Sequence, residues 1–304
     1  MRHYIYLYRS PSCSQKTRES LSHVDVVIPT WNSNAFYFPV VVRRIIAVLE
    51  PHHLVVVDRF SRDGTQEVLK KYASDVLKLV EIGADLAYAR KIGGMLADSE
   101  VVCFVDDDVI IPKCFKLLVK KVISSFLMDR RVGVIAFSIC KGIPKAEECF
   151  RIRVSRVIKP LRSLSVSNVL KRGIHVYSRG YTFFFCVKRE LIKSWNPPPD
   201  LSAYEDYHLS QHILSKGYLW VEFSSPCVIH MKDMRYRGLH RYFKQGLWEG
   251  SNVMRAGISL KYVILHIIGR LIGAMHKRNL NQFLIYIGYI VGLLVQWKFK
   301  SWRR

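Results

Sequence analysis

Short runs rich in Val and Ile alternate with segments of helical period, and this alternation constrains the fold more than any other feature of the chain. Val24–Pro29 (VDVVIP), Leu54–Asp58 (LVVVD), Val76–Ile82 and Val101–Asp106 (VVCFVD) are apolar on successive residues, as strands covered on both faces are. Between them, Val40–Leu49, Thr65–Tyr72, Ala87–Ala97 and Phe115–Phe126 are spaced as helices. Strand–helix alternation predicts an α/β fold, a parallel sheet with helices on both faces. In such a sheet, ligands bind at the carboxyl ends of the strands.

Beyond about residue 130 the pattern changes. Val132–Ile139 and Tyr181–Val187 read as strands, Asp206–Lys216 as a helix, and Tyr218–Phe223 and Cys227–Met231 as further short strands. Together with the first half they predict one mixed domain over residues 24–235, preceded by a polar tail at 1–23. The last segment, 236–304, contains two strongly apolar stretches, Tyr262–Met275 (YVILHIIGRLIGAM) and Phe283–Trp297 (FLIYIGYIVGLLVQW). Each is shorter than the ~20 residues a spanning helix needs. Lys277 and Arg278 precede the second, and Lys298, Lys300, Arg303 and Arg304 follow it. The symmetry of these cations favours amphipathic helices lying in a membrane interface. Helices packed on the core or in an oligomer, or a hairpin dipping into the bilayer, are the alternatives.

The 304 residues carry 47 Lys plus Arg against 24 Asp plus Glu, a net charge of +23. Arg151–His175 has seven basic residues and no acid, and Gly250 to the end has nine and no acid. Such segregation speaks of partners (anionic lipid, phosphorylated substrates, nucleic acid) rather than of fold. The cysteines at 13, 103, 114, 140, 149, 186 and 227 are odd in number and form no CxxC pair. Cys103, Cys140, Cys186 and Cys227 lie in apolar runs, and the expectation is buried, reduced thiols. The N-terminal residues hold no apolar run long enough for a signal peptide, which leads to the expectation of a catalytic domain on the cytoplasmic face of the cell membrane.

Three acids, Asp106-Asp107-Asp108, end the fourth predicted strand. Like charges so close require compensation. A divalent cation of the Mg²⁺ or Mn²⁺ type supplies it and leaves positions open for phosphate. Asp58 ends the second strand, in Asp58-Arg59-Phe60-Ser61-Arg62-Asp63-Gly64-Thr65, where a carboxylate can accept bonds from a base or ribose. Asp63 is better placed to cap the next helix, with Gly64 easing the turn. Pro29-Thr30-Trp31-Asn32 ends the first strand, either as a nucleoside contact or as a simple turn. Gly180, ahead of a strand, suits close approach of an acceptor.

VVIPTWN, VVDRFSRDGT, ARKIGG and FVDDDVIIP, in this order and spacing, resemble the family 2 glycosyltransferases of the GT-A fold, as does Tyr204-Glu205-Asp206-Tyr207 leading into a helix that ends Lys216-Gly217-Tyr218. The resemblance covers about residues 24–231. It implies an inverting transferase that moves one sugar from a nucleoside diphosphate sugar to a lipid-linked or glycan acceptor. Residues 24–112 would be the nucleotide-sugar half and 113–235 the acceptor half. By matching position, Thr30, Asn32, Asp58, Arg90, Asp106 and Asp107 are implied for the donor, and Asp106 and Asp108 for Mn²⁺ or Mg²⁺. His230 is a further candidate for the metal, and Asp206 is implied as general base. Lys91 stands where the family usually has Asn, and Arg59 where an acid is frequent. Gln245-Gly246-Leu247-Trp248 departs from the Q-x-x-R-W motif of processive synthases, so transfer of one sugar is expected rather than polymer extrusion.

Other classes fit less well. A dinucleotide oxidoreductase needs G-x-G-x-x-G after the first strand, where this chain has Pro-Thr-Trp-Asn. A sugar nucleotidyltransferase needs a Gly-rich basic loop at the same place. A basic nucleic-acid binder explains the charge but not three acids at a strand end. An inactive sugar- or nucleotide-binding relative shares every motif, and only assay separates it.

Overall fold

The computed structural model describes residues 4–6, 24–33, 38–72, 77–113, 115–116, 130–140, 174–176, 180, 182–231 and 239–302, with backbone alone at 4–6, 174–176, 224–226, 241 and 297–302. Most of the helix expected at Phe115–Phe126, most of the basic stretch from Arg151 and residue Tyr181 lie outside the described residues.

The strands in chain order are β1 (Tyr4–Tyr6), β2 (Val24–Thr30), β3 (Leu54–Asp58), β4 (Leu77–Glu81), β5 (Val101–Val105), β6 (Val109–Ile110), β7 (Val132–Ile139), β8 (Ile174–Val176), β9 (Phe184–Lys188) and β10 (Leu219–His230), of which β1, β6 and β8 are not among those expected from sequence. They build one sheet in the order β1-β4-β3-β2-β5-β9-β7-β10-β6, with β8 paired to β10 off this path. β4, β3, β2 and β5 are parallel, and β9 runs antiparallel between β5 and β7. The sheet is therefore mixed. Every residue of β2, β3 and β5 is buried, which is why their sequences are apolar without alternation. Tyr4–Tyr6 pairs antiparallel with β4 and closes that edge, so part of the expected polar tail is strand. β10 is one strand rather than two; Pro226, which cannot donate to a ladder, sits within a shift of register between Phe223 and Val228.

Helices α1 (Phe38–Leu49), α2 (Thr65–Lys70) and α3 (Leu86–Leu96) connect the parallel strands. α4 (Arg189–Ser194) follows β9, and α5 (Glu205–Ser215) precedes β10. α3 approaches the sheet at one glycine and α4 at the next. A Cβ on Gly93 would lie 2.3 Å from Val27 Cγ1, and one on Gly94 would lie 2.2 Å from Ile192 Cγ2. Lys91, the departure from the family pattern, donates to the carbonyls of Lys193 (2.8 Å) and Trp195 (2.5 Å) and so ties α3 to the end of α4. Gly180 answers a packing need rather than an acceptor: a Cβ there would overlap the indole of Trp220, and its N–H donates to Ser210 Oγ at 2.9 Å.

The expectation of reduced thiols is overturned. Cys103 and Cys186 face each other in the antiparallel register of β5 and β9 and are disulfide-bonded, and so are Cys140 and Cys227 at the ends of β7 and β10. Residues far apart in sequence become neighbours through strand pairing, which spacing along the chain does not show.

By internal contacts the chain divides into two units, Met1–Asn196 with Leu209–Lys232, and Pro197–His208 with Asp233–Arg304. The second contains α6 (Leu239–Asn252), α7 (Leu260–His276) and α8 (Leu280–Trp302). Ser259 caps α7 by accepting from Tyr262 N. α6 and α8 meet backbone to backbone. Cβ atoms on Gly246 and Gly250 would lie 1.8 and 2.0 Å from the carbonyl oxygens of Ile285 and Tyr289. Those on Gly288 and Gly292 would lie 2.1 and 2.2 Å from the carbonyl oxygens of Phe243 and Leu247. This is the small-xxx-small mode of close helix pairing. α7 exposes Tyr262, Ile264, Leu265, Ile268, Ile272 and Met275. Among the described residues no helix is long and apolar enough to cross a membrane.

Candidate active site

Parallel pairing with Thr30 opposite Asp58 and Val27 opposite Phe104 brings the carboxyl ends of β2, β3 and β5 to one edge of the sheet. The loops that leave those ends are laced together. After β2, Asn32 takes a left-handed conformation (φ 51°), which Asn tolerates better than most residues. Its N–H donates to Ser61 Oγ (2.7 Å), and its side-chain oxygen accepts from Arg62 N (2.9 Å). Ser33 N donates to Thr65 Oγ1 (2.8 Å). Asp63 accepts from the backbone N–H and the hydroxyl of Thr65, an Asx turn ahead of α2; the N-cap itself is Gly64, with no side-chain cap bond, so the expected capping by Asp63 does not form.

Asp58 is fully buried at the end of β3. Ser61 donates to it through both N–H (3.0 Å) and hydroxyl, and Gln66 through Nε2 (3.1 Å). Burial still lifts its carboxyl above the ordinary value, against the pull of the Ser61 bonds. Beside it, Trp31 is exposed, with the Arg59 guanidinium 5.5 Å from its ring centre.

After β5 the chain turns, Val109 N bonding to Asp106 O, and re-enters the sheet as β6 against β10. The three carboxylates take three different partners. Asp106 Oδ1 accepts from Arg90 Nη2 at 2.8 Å, and Arg90, 1% exposed, also donates to Thr182 O at 3.3 Å. Asp107 Oδ2 accepts from the hydroxyls of Thr30 (3.3 Å) and Ser33. Asp108 Oδ2 lies 2.9 Å from His230 Nε2, and Met231 N bonds to Asp108 O. Burial pushes the Asp106 carboxyl up to about 7, against the Arg90 charge, and that of Asp107 up to about 6, against the Ser33 hydrogen bond. The charge of Asp108 adds to both shifts, so the three groups share one field. The side chains of Asp106, Asp108 and His230 keep 23%, 21% and 24% exposure, so each is partly open to solvent.

Thr30, Asp58, Arg90, Asp106, Asp107, Asp108 and His230 thus all lie at or behind the same strand ends. Asn32 stands in the adjoining loop with its side chain clipped to Arg62. Asp206 stands in the first turn of α5, half-buried, accepting from Tyr207 N at 2.7 Å, within the segment Pro197–His208 of the second unit. Sequence reasoning missed Ser33, Ser61 and Thr182, which orient the acids and Arg90. Ser61 lies within a motif already singled out; Ser33 is 74 residues from its partner Asp107, and local sequence gives no signal for it.

Residues 25–138 match the model of glycosyl transferase family 2. No curated protein matches the chain by sequence. Among solved structures, the chain is similar to the mannosyltransferase PcManGT from Pyrobaculum calidifontis, in complex with GDP-Man and Mn²⁺. That likeness has 20% identity and a TM-score of 0.57, and covers 90% of this chain and 87% of the other. It is also similar to glucosyl-3-phosphoglycerate synthase from Mycobacterium tuberculosis in complex with Mn²⁺, UDP and phosphoglyceric acid. Here identity is 15% and TM-score 0.52, over 81% of this chain and 85% of the other. The sequence match to glycosyl transferase family 2 thus spans the strands that carry the acids, residues 25–138, and the chain around it shares the GT-A fold of these transferases.

Proposed function

We propose that the chain transfers one sugar, with inversion, from a nucleoside diphosphate sugar to a lipid-linked or glycan acceptor at a membrane surface. The observation that supports this reading is the run Asp106–Asp108 directly after β5, partly open to solvent, with His230 2.9 Å from Asp108 and Asp58 at the end of the nearby strand β3. Two carboxylates and an imidazole suit Mn²⁺ or Mg²⁺, the first better because it accepts nitrogen more readily. The Pyrobaculum and Mycobacterium structures hold Mn²⁺ with a guanosine and a uridine diphosphate species in the same fold. Such a cation, when bound, offsets the charge that develops on the departing diphosphate.

The chain's own residues divide the remaining work. Arg90, enclosed beneath Asp106, holds that carboxylate in place and lends positive potential to the diphosphate side. Asp58, held by Ser61 and Gln66, presents acceptor oxygen to the nucleoside. Thr30 and Ser33, at the end of β2 and in the loop after it, hold Asp107 through their hydroxyls. Asp206 takes the proton of the acceptor hydroxyl as it attacks, and attack on the face opposite the leaving group inverts the anomeric centre. The exposed apolar face of α7, with Lys261 before it and Lys277 and Arg278 after it, rests on anionic headgroups and brings the acceptor within reach.

The test is release of nucleoside diphosphate across UDP-, GDP- and dTDP-sugars with Mn²⁺ or Mg²⁺. One donor should be consumed in a metal-dependent way, and Asp108→Ala should abolish both metal-dependent donor binding and release. Folded wild-type protein that binds no donor with either metal would sink the reading.

A further inference from the structure

At the opposite end of the same strands a second group of metal-ligating side chains comes together. Asp25 is near the start of β2, His52 and His53 lie just before β3, and Asp98 lies in the loop before β5. Asp25 Oδ1 is 3.6 Å from His52 Nδ1 and 3.5 Å from His53 Nδ1, and His53 Nδ1 is 3.4 Å from Asp98 Oδ2. The ligand atoms of Asp25, His52 and His53 all lie within 4.8 Å of one another.

These separations have a meaning. They exceed the ~2.7–3.2 Å of an N–H···O hydrogen bond. A tetrahedral ion with ligands at about 2.0–2.1 Å holds them about 3.3–3.4 Å apart. His53 Nδ1 is shut off from solvent and makes no hydrogen bond. Asp25 is held firmly: it is fully buried and accepts from His53 N (2.9 Å), Ser99 N (3.0 Å), Ser99 Oγ (3.0 Å) and Asp98 N. The rings of His52 and His53 are already side by side, with centroids 4.0 Å apart.

We propose that Asp25, His52 and His53 form a structural site for a tetrahedral divalent ion of the Zn²⁺ class, the fourth position being left for water, distinct from the donor site. Two imidazoles and one carboxylate are a borderline set that prefers Zn²⁺ or Co²⁺ to Mg²⁺. Asp98 Oδ2, beside His53, is paired instead with Lys78 Nζ at 2.6 Å, so the three ligands carry one negative charge, that of Asp25, when both imidazoles are neutral. The five residues of β3 separate this site from Asp58 by about 17 Å. An ion there clips together the starts of β2 and β3, whose far ends carry Thr30 and Asp58.

The experiment titrates metal-stripped, full-length Asp108→Ala protein with Zn²⁺ by calorimetry and with Co²⁺ by visible absorption, so that the donor site does not contribute. One equivalent of Zn²⁺, the absorption of tetrahedral Co²⁺ and a raised melting temperature are expected. Adding His52→Ala and His53→Ala should weaken binding by more than about tenfold. The same pair of substitutions in the otherwise wild-type chain should leave Mg²⁺-supported transfer unchanged. No uptake by Asp108→Ala, or equal uptake without the two histidines, would overturn the proposal. Neither result bears on transferase activity, which the donor screen reads separately.

Discussion

At the residue scale the proposed donor site is a set of acids whose carboxyls burial pushes upward. Asp58 shows the consequence most simply. Its folded-state carboxyl lies above the ordinary value, so its contribution to stability is fully present at acid pH, below the unfolded value, and is lost as pH rises through the folded one. Urea melts at a series of pH values should therefore show the wild type losing stability relative to Asp58→Asn between acid and neutral pH, while the variant binds donor more weakly. A stability gap that stays constant with pH would contradict this. Asp206→Asn should leave donor binding intact and lower turnover by about two to four orders of magnitude, the span of a lost general base. Full activity in that variant, or retained configuration in the product by NMR, would remove Asp206 from the role. Asp58, Asp106 and Asp108 were legible because acids closing buried strands are conspicuous in sequence. The salt bridge of Arg90 to Asp106 and the hydroxyl of Ser33 on Asp107 were not, since they exist only once α3 and the loop after β2 are folded onto the strand ends.

At the element scale, apolar content decided what could be read. The parallel strands and α1–α3 match expectation to within a few residues, because continuous Val/Ile runs and helical spacing are direct statements about burial. β1 and β8 are three residues each, too short for any periodicity, and α6 is a largely polar helix whose pairing rests on glycines rather than on an apolar stripe. α7 is the reverse case: its apolar residues are plain in sequence, but only the fold shows that Leu265, Ile268 and Ile272 remain 62%, 50% and 62% exposed. If that face rests on lipid, Ile268→Glu with Ile272→Glu should abolish sedimentation with anionic vesicles and leave the melting temperature within a few degrees of wild type. Unchanged partitioning would assign the face to another partner.

At the scale of the whole molecule, the disulfides matter most to stability and setting. Cys103–Cys186 and Cys140–Cys227 close loops with sequence separations of 83 and 87. Each is worth about 4–5 kcal/mol in the chain-entropy account. Thermal melts with and without a strong reductant should differ by more than about 5 °C, and coincident melts would mean that the sulfurs are not joined. Such links persist in oxidising compartments or in the cytosol of hyperthermophiles, which narrows the surroundings in which the proposed membrane face operates. The seam between α6 and α8 has a different consequence. Where two main chains touch, nothing larger than hydrogen fits at 246, 250, 288 or 292. Two glycine pairs, each four residues apart, separated by about forty positions and placed after the sugar-transferring half, therefore make a pattern for picking out of genomes the proteins that carry this same helical hairpin.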